Sequence, residues 1–287
     1  MGREPDSNNS STNSANSSLS HELFEKISRF IYNQSGITLK DGKEALVASR
    51  LAKRLRALNI PSYASYFQYL EKDTSGEEIV QLLDAISTNV THFFREPKHF
   101  DILHEKITTW KNAGQRRFRI WCAASSTGEE PYTLAMVMAE VCGLSGIDWK
   151  ILATDISTRV LDIAKTGKYE EEKLKDVSSA LKQKYFDQIK LEEQKYYRAK
   201  PALRERIVFK RLNLAEPPFP MHGPLDFVFC RNVMIYFDNN IRKPLIDEIS
   251  RLLKPEGILI VGSSESLTGI ITAMKSIGPS VYANIRK

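Results

Sequence analysis

Two apolar periods organise the chain. Between His21 and Asp73 apolar residues recur every three or four positions, and Leu23, Phe24, Ile27, Phe30 and Ile31 share one face, which predicts an amphipathic helix. After Gly36, Asp41 and Gly42 a second helix is predicted over 43–58. There Val47, Leu51, Leu55 and Leu58 fall within about 80° on a helical wheel, and Lys43, Arg50 and Arg54 line up beside that stripe. Pro61 opens a short tyrosine-rich helix (Tyr63, Tyr66, Tyr69), Gly76 resets the chain, and 77–87 reads as a further helix. The pattern predicts a small all-α domain over 20–90.

From about Lys98 the period changes. Strands are predicted over 118–124 and 149–155, with helices over 129–142 and 157–166, the latter capped by Ser157 and ended by Gly167. Residues 168–206 interrupt the alternation with a charged insertion holding one helical run (177–186) and a small hairpin around Tyr196 and Tyr197. The alternation resumes with strands at 207–212, 225–230 and 258–261, a helix over 240–253, a turn at 254–257, and a last strand over 281–285, antiparallel to its neighbour. Strand alternating with helix predicts an α/β domain with a parallel sheet over 91–287. Residues 1–19, mostly Ser and Asn, bury almost nothing and predict a disordered tail.

Composition narrows the class. At 287 residues and 42% apolar, the chain can hold one large domain or a small one plus a medium one. Its formal charge of +6 permits an acidic partner without requiring nucleic acid. Cys122, Cys142 and Cys230 are odd in number, lie in apolar contexts and lack metal-ligand spacing, so neither a disulfide framework nor a metal site is expected, and a cytoplasmic location is. No apolar run reaches about 18 residues and no signal-peptide core opens the chain, which argues against a membrane span or export.

In such a sheet, ligands sit at the carboxyl ends of the strands. The first strand runs into FRIWCAASSTGEEPY (118–132), where small residues up to Gly128 allow a sharp bend and a close ligand approach. Glu129 and Glu130 then open a helix, so a ligand with a positive group and a sugar fits better than one with a phosphate. Asp155 closes the second strand, either taking two ribose hydroxyls or merely capping the next helix. Asn213 and Leu214 close the third, as an adenine edge and face or as turn residues. Arg231 and Asn232 close the fourth, followed by an apolar patch and Tyr236. Upstream, 87–100 carries Asn89, Thr91, Phe93, Phe94 and Arg95, which read either as core packing or as a lid over the ligand.

Together, NVTHFFRE (89–96), ASSTGEEPY (124–132), ATD (153–155), LNL (212–214) and FCRNVMIYF (229–237) resemble the CheR family of chemotaxis-receptor methyltransferases, which are S-adenosylmethionine-dependent protein-glutamate O-methyltransferases. The resemblance covers about 20–287. It implies a helical domain followed by a Rossmann-like methyltransferase domain with an inserted β-subdomain at 168–206. By similarity, Asn89, Thr91, Arg95, Glu130, Asp155, Asn213, Leu214, Arg231 and Asn232 surround the cofactor, with Gly128 in the turn. Ala124 and Ser126 stand where methyltransferases in general carry glycine.

The implied reaction forms a glutamate methyl ester and S-adenosylhomocysteine. It needs alignment rather than a catalytic His or Cys, and no metal. Arg95 and Tyr236 are the candidates for alignment, and Phe93 or Phe94 for facing the sulfonium. The implied partner is the acidic cytoplasmic signalling domain of chemoreceptors, with Lys43, Arg50 and Arg54 as a docking edge, and with neither nucleic acid nor membrane insertion involved. Methylation of another substrate, or cofactor sensing without turnover, are the alternatives.

Overall fold

The computed structural model describes residues 19–191, 194–270 and 273–286, so the tail expected over 1–19 lies, except for residue 19, outside the described residues. Two compact units meet between Ser87 and Thr88.

The first unit contains α1 (His21–Ser35), α2 (Glu44–Leu58), α3 (Tyr63–Glu71) and α4 (Glu77–Ile86). Local chemistry sets the ends. Ser20 accepts the Leu23 N–H to cap α1, Gly36 in the left-handed region ends it, and Ser62 caps α3. The predicted stripes make the core: Phe24, Ile27 and Ile31 from α1 with Val47, Leu51 and Leu55 from α2 are buried. Burial of each contributes roughly 1.5–3 kcal/mol. Tyr63 and Tyr66 turn inward, while Tyr69 is 47% exposed.

The predicted basic edge of α2 is not a free cationic row. The Arg54 guanidinium grips buried Glu78 of α4, to which the Tyr66 hydroxyl also donates at 2.7 Å. Arg50 donates to the main-chain carbonyls of Ile86 and Ser87, which α4 leaves unpaired at its end. A buried carboxylate and open helix carbonyls capture both side chains, and Lys43 stays exposed.

The second unit begins with α5 (Lys98–Asn112). It continues with β1 (Arg117–Cys122), α6 (Glu129–Cys142), β2 (Asp148–Asp155), α7 (Thr158–Thr166), β3 (Lys168–Glu170), α8 (Ser179–Tyr185), β4 (Phe186–Leu191), β5 (Gln194–Ala199) and α9 (Pro201–Arg204). Then come β6 (Ile207–Arg211), β7 (Leu225–Cys230), α10 (Asn239–Leu252), β8 (Leu253–Val261), β9 (Met274–Gly278) and β10 (Val281–Asn284). The large sheet runs β6-β2-β1-β7-β8-β10-β9. Its first five strands are parallel, and β10 is antiparallel to both neighbours. Strand order reverses at β1 and β7, so the crevice beyond their carboxyl ends is the switch point of the sheet.

Three details differ from expectation. The predicted turn at 254–257 is a bulge within β8: Glu256 sits at φ 61° and the register against β7 shifts there. The insertion is a three-stranded antiparallel sheet, β3-β5-β4, rather than one hairpin. β9 was not foreseen; it lies at the sheet edge, and Lys275, Ser276 and Ile277 are exposed, which leaves little apolar period to read. Among the described residues, no helix is long and apolar enough to cross a membrane.

Candidate active site

The turn after β1 is held from both sides. Ser125 N–H reaches Thr154 O at 2.8 Å, and Ser126, at φ 46°, donates its N–H to Asp155 Oδ2 at 2.8 Å. The Ser126 hydroxyl binds the Asn89 carbonyl at 3.0 Å, so the residue that replaces a customary glycine ties the turn to the 89–95 segment. Gly128 has a packing task besides the ligand approach expected of it. At φ 98°, a Cβ there would lie 2.6 Å from Tyr169 Oη and 2.9 Å from Ala164 Cβ, so only glycine lets the turn pack on β3 and α7. Tyr169 Oη in turn donates to Thr127 O at 2.9 Å, and the inserted subdomain thereby buttresses the turn.

The two acids that open α6 part company. Glu129 is buried towards the subdomain, where it accepts the Thr127 hydroxyl at 2.6 Å and lies 3.7 Å from Lys173 Nζ. Glu130 turns to the strand ends: Arg231 Nη1 donates to its Oε2 at 2.9 Å and Cys122 Sγ to its Oε1 at 3.2 Å. Burial pushes the Glu130 carboxyl up, against the opposing pull of Arg231.

Arg231, whose side chain is wholly enclosed, is the hub. Besides Glu130 it reaches the Arg95 carbonyl and lies 3.3 Å from Glu96 Oε2, with its guanidinium over the Phe100 ring. Glu96 also accepts Ser263 N–H at 3.0 Å and Asn232 Nδ2 at 3.4 Å. Burial works to raise the Glu96 carboxyl, but Ser263, Arg231 and Asn232 outweigh it and hold it below the usual range. His99, 3.4 Å from Glu96, is pushed down from 6.5 to about 4 by burial and then by Arg231.

The 89–95 segment is curled and strained. Phe94 and Glu96 both sit at positive φ, and Arg95 Nη1 reaches back to Val90 O at 3.0 Å. Phe93 proves to be core: its ring is fully buried edge-to-face on Tyr169, 5.0 Å away, and on Phe186. Phe94 packs on Phe100. Thr91 is half-buried.

At the end of β2, Asp155 accepts Ser126 and Ser157 N–H groups, so it shapes both flanking turns. Leu212 N–H meets Asp155 O at 3.0 Å and brings the end of β6 alongside. There Asn213 folds into its own turn, bonding Ala215 N–H and Glu216, and Leu214 is buried. After β7, Asn232 sits at φ 59° and Tyr236 is half-buried in a single 3-10 turn. The predicted residues from Asn89 to Tyr236 thus gather at the carboxyl ends of β1, β2, β6 and β7, whereas Lys43, Arg50 and Arg54 belong to the first unit.

Sequence reasoning missed Glu96, His99, Gly262 and Glu265. Gly262 directly follows β8, where the rule applied to four other strand ends points, and Glu265 lies in the turn beyond it.

A CheR methyltransferase all-alpha domain model matches residues 22–87, and a CheR methyltransferase SAM-binding domain model matches 89–282. The chain belongs to the CheR methyltransferase family. It is similar to the chemotaxis protein methyltransferase of Salmonella typhimurium, at 38% identity over 92% of this chain and 91% of that one. The protein of the same name from Borreliella burgdorferi is 38% identical, over 88% and 91%. The one from Escherichia coli is 37% identical, over 92% and 91%. The Rossmann-like fold, the preceding helical domain and S-adenosylmethionine as methyl donor accord with the implied family. The residues there also fit such a ligand on their own chemistry: Asn89 Nδ2, Ser125 Oγ and Arg231 Nε are buried without hydrogen-bond partners, polar groups that a polar guest would satisfy.

Proposed function

We propose that this CheR-family chain methylates glutamate side chains in the cytoplasmic signalling domain of chemoreceptors, leaving S-adenosylhomocysteine and a glutamate methyl ester. The observation that carries the reading is the buried network of Glu130, Arg231 and Glu96 at the switch point, bordered by partnerless polar atoms. When bound, S-adenosylmethionine supplies an electrophilic methyl on a positively charged sulfur.

The chain's own residues supply alignment. Glu130 takes the ammonium group of the donor, Asp155 its ribose hydroxyls, and Asn213 and Leu214 the edge and face of its adenine. Asn89, Thr91, Asn232 and Arg231 complete the walls, and Gly128 keeps the turn in shape. Arg95 pairs with a carboxylate, of donor or acceptor, through its planar fork. Tyr236 orients the methyl or the acceptor through its hydroxyl. An acceptor glutamate, with an ordinary pKa near about 4.3, is already ionised at pH 7, so the reaction needs no general base and no metal. Receptor docking falls to the basic edge of α2, with Lys43 exposed and with Arg50 and Arg54 contributing from positions tied to α4. The protein works in the cytoplasm, and neither nucleic acid nor membrane insertion is part of its task.

Incubation with methyl-labelled donor and chemoreceptor membranes, followed by base, tests the reading. Volatile label is expected. Base-stable label would assign another acceptor class, and absence of label despite donor binding would assign a sensing module.

A further inference from the structure

We propose that Glu265 is a positioning residue for methyl transfer: its buried carboxylate sets the 232–236 loop and so aims Asn232 and Tyr236 into the site. The inference rests on the reading above, in which both residues face the donor or the acceptor.

Glu265 is 4% exposed and lies in the turn after β8, where its own N–H closes on Gly262 O at 2.8 Å. Three main-chain N–H groups at the site's edge donate to its carboxylate. Oε2 takes the N–H of Asn232 at 2.8 Å and of Gly262 at 2.6 Å, and Oε1 takes that of Ile235 at 3.2 Å. One carboxylate therefore joins the end of β8 to both ends of the segment between Arg231 and Tyr236. Such charge-assisted bonds, out of contact with water, are strong and directional.

The clamp fixes the loop's turn. Asn232 holds φ 59°, in the left-handed region that asparagine tolerates better than most residues, and the bond from its N–H to Glu265 holds it there. Tyr236 follows from Ile235, because a single 3-10 turn, closed by Tyr236 N–H on Val233 O at 3.1 Å, carries both. The opposing wall leaves no slack. A Cβ on Gly262 would lie 2.6 Å from Asn232 Nδ2 and 2.8 Å from Glu265 Oε2.

The two carboxylate oxygens separate two effects. In Glu265→Gln, the amide oxygen can serve the Asn232 and Gly262 donors, and its NH2 then opposes the Ile235 N–H. The cofactor side of the loop is kept and the tyrosine side released. A misplacement on the scale of an ångström lowers turnover by about 10- to 100-fold. The expected result is that fall in kcat for receptor methylation, with donor affinity by calorimetry within about twofold and the melting temperature nearly unchanged. Gly262→Ala, which pushes on Asn232 itself, should weaken donor affinity as well. Tyr236→Phe serves as the reference for loss of the phenol.

If Glu265→Gln turns over like the parent chain while Tyr236→Phe does not, the positioning role is overturned. It is equally overturned if Glu265→Gln loses donor affinity, turnover and melting temperature together, as a residue needed only for folding would. Failure of the parent chain itself to yield base-labile label strikes at the receptor-glutamate reading; the donor-affinity and kcat split can then be read on whichever acceptor takes the label.

Discussion

Among the described residues each unit holds an arginine–carboxylate network with a buried member, Arg54 with Glu78 in the first and Arg231 with Glu130 and Glu96 in the second, and the two differ in completeness. In the helical unit Arg54 holds Glu78 through two nitrogens and Tyr66 completes the carboxylate, and none of these three residues has a buried polar atom without a partner. In the methyltransferase unit Arg231 is more deeply enclosed and meets two carboxylates, yet its Nε has no hydrogen-bond partner, nor do Ser125 Oγ and Asn89 Nδ2. A satisfied network specifies one conformation. An incompletely satisfied one is costly unless something else fills it. In the reading proposed above the first is scaffold and the second is the site, although from the chain alone both are an arginine and a glutamate far apart in sequence.

The largest expected effect that would break this contrast is at Glu130. Glu130→Gln should weaken S-adenosylmethionine binding by about 100-fold, as loss of a charged hydrogen bond of up to ~3 kcal/mol implies. Calorimetric titration reads it, and unchanged affinity would reduce the Arg231 network to scaffold. Arg54→Ala should do the reverse. It strands a carboxylate that is 5% exposed and lowers stability to denaturant by about 2–3 kcal/mol, with donor affinity untouched. The charge reversals that would test docking at Arg50 and Arg54 therefore unsettle the domain first.

A smaller effect comes from His99. Its folded pKa, near 4, lies below the ordinary 6.5, so the unfolded chain binds the extra proton between these values. Its contribution to stability is therefore full above pH 6.5 and is lost as the pH falls towards 4. His99→Gln should flatten that part of the stability profile, and an unaltered slope would show that His99 is not its source. The smallest effect is expected at Lys43, the exposed member of the basic edge. Lys43→Glu should raise the KM for receptor by about two- to fivefold, in line with an exposed pair of up to ~1 kcal/mol, while leaving the KM for donor alone. An equal change in both constants would remove Lys43 from docking.

Much of the site was legible because strand ends are legible. Apolar runs that stop at polar residues marked Glu130, Asp155, Asn213 and Arg231, and a sheet of this class gathers such ends in one crevice. Glu265 lies in the turn beyond the end of β8, four residues past Val261, where no strand end marks it. Other features had no local signal. Glu129 and Glu130 are identical in type and adjacent, and only the packing of α6 sends one to Lys173 and the other to Arg231. Phe93 and Phe94 could each have faced a ligand, and Tyr169 and Phe186, from the insertion, claimed Phe93 for the core. At Gly128 the contact with Tyr169 and Ala164, which demands glycine as strictly as a ligand would, has no local signal at all.

By itself the sequence determined the helical stripes, the alternation of strands and helices outside the insertion and β9, and the family, because each depends on periodicity or on short motifs. Only the tertiary structure decided which charges are spent. Arg54 meets Glu78 across 24 residues and Arg231 meets Glu130 across 101. Burial makes such pairing compulsory without any local pattern announcing it. The same holds for the end of β8, where Glu265 reaches back 33 residues to Asn232. The local pattern said which groups were available for chemistry, and the packing chose which remained free to perform it.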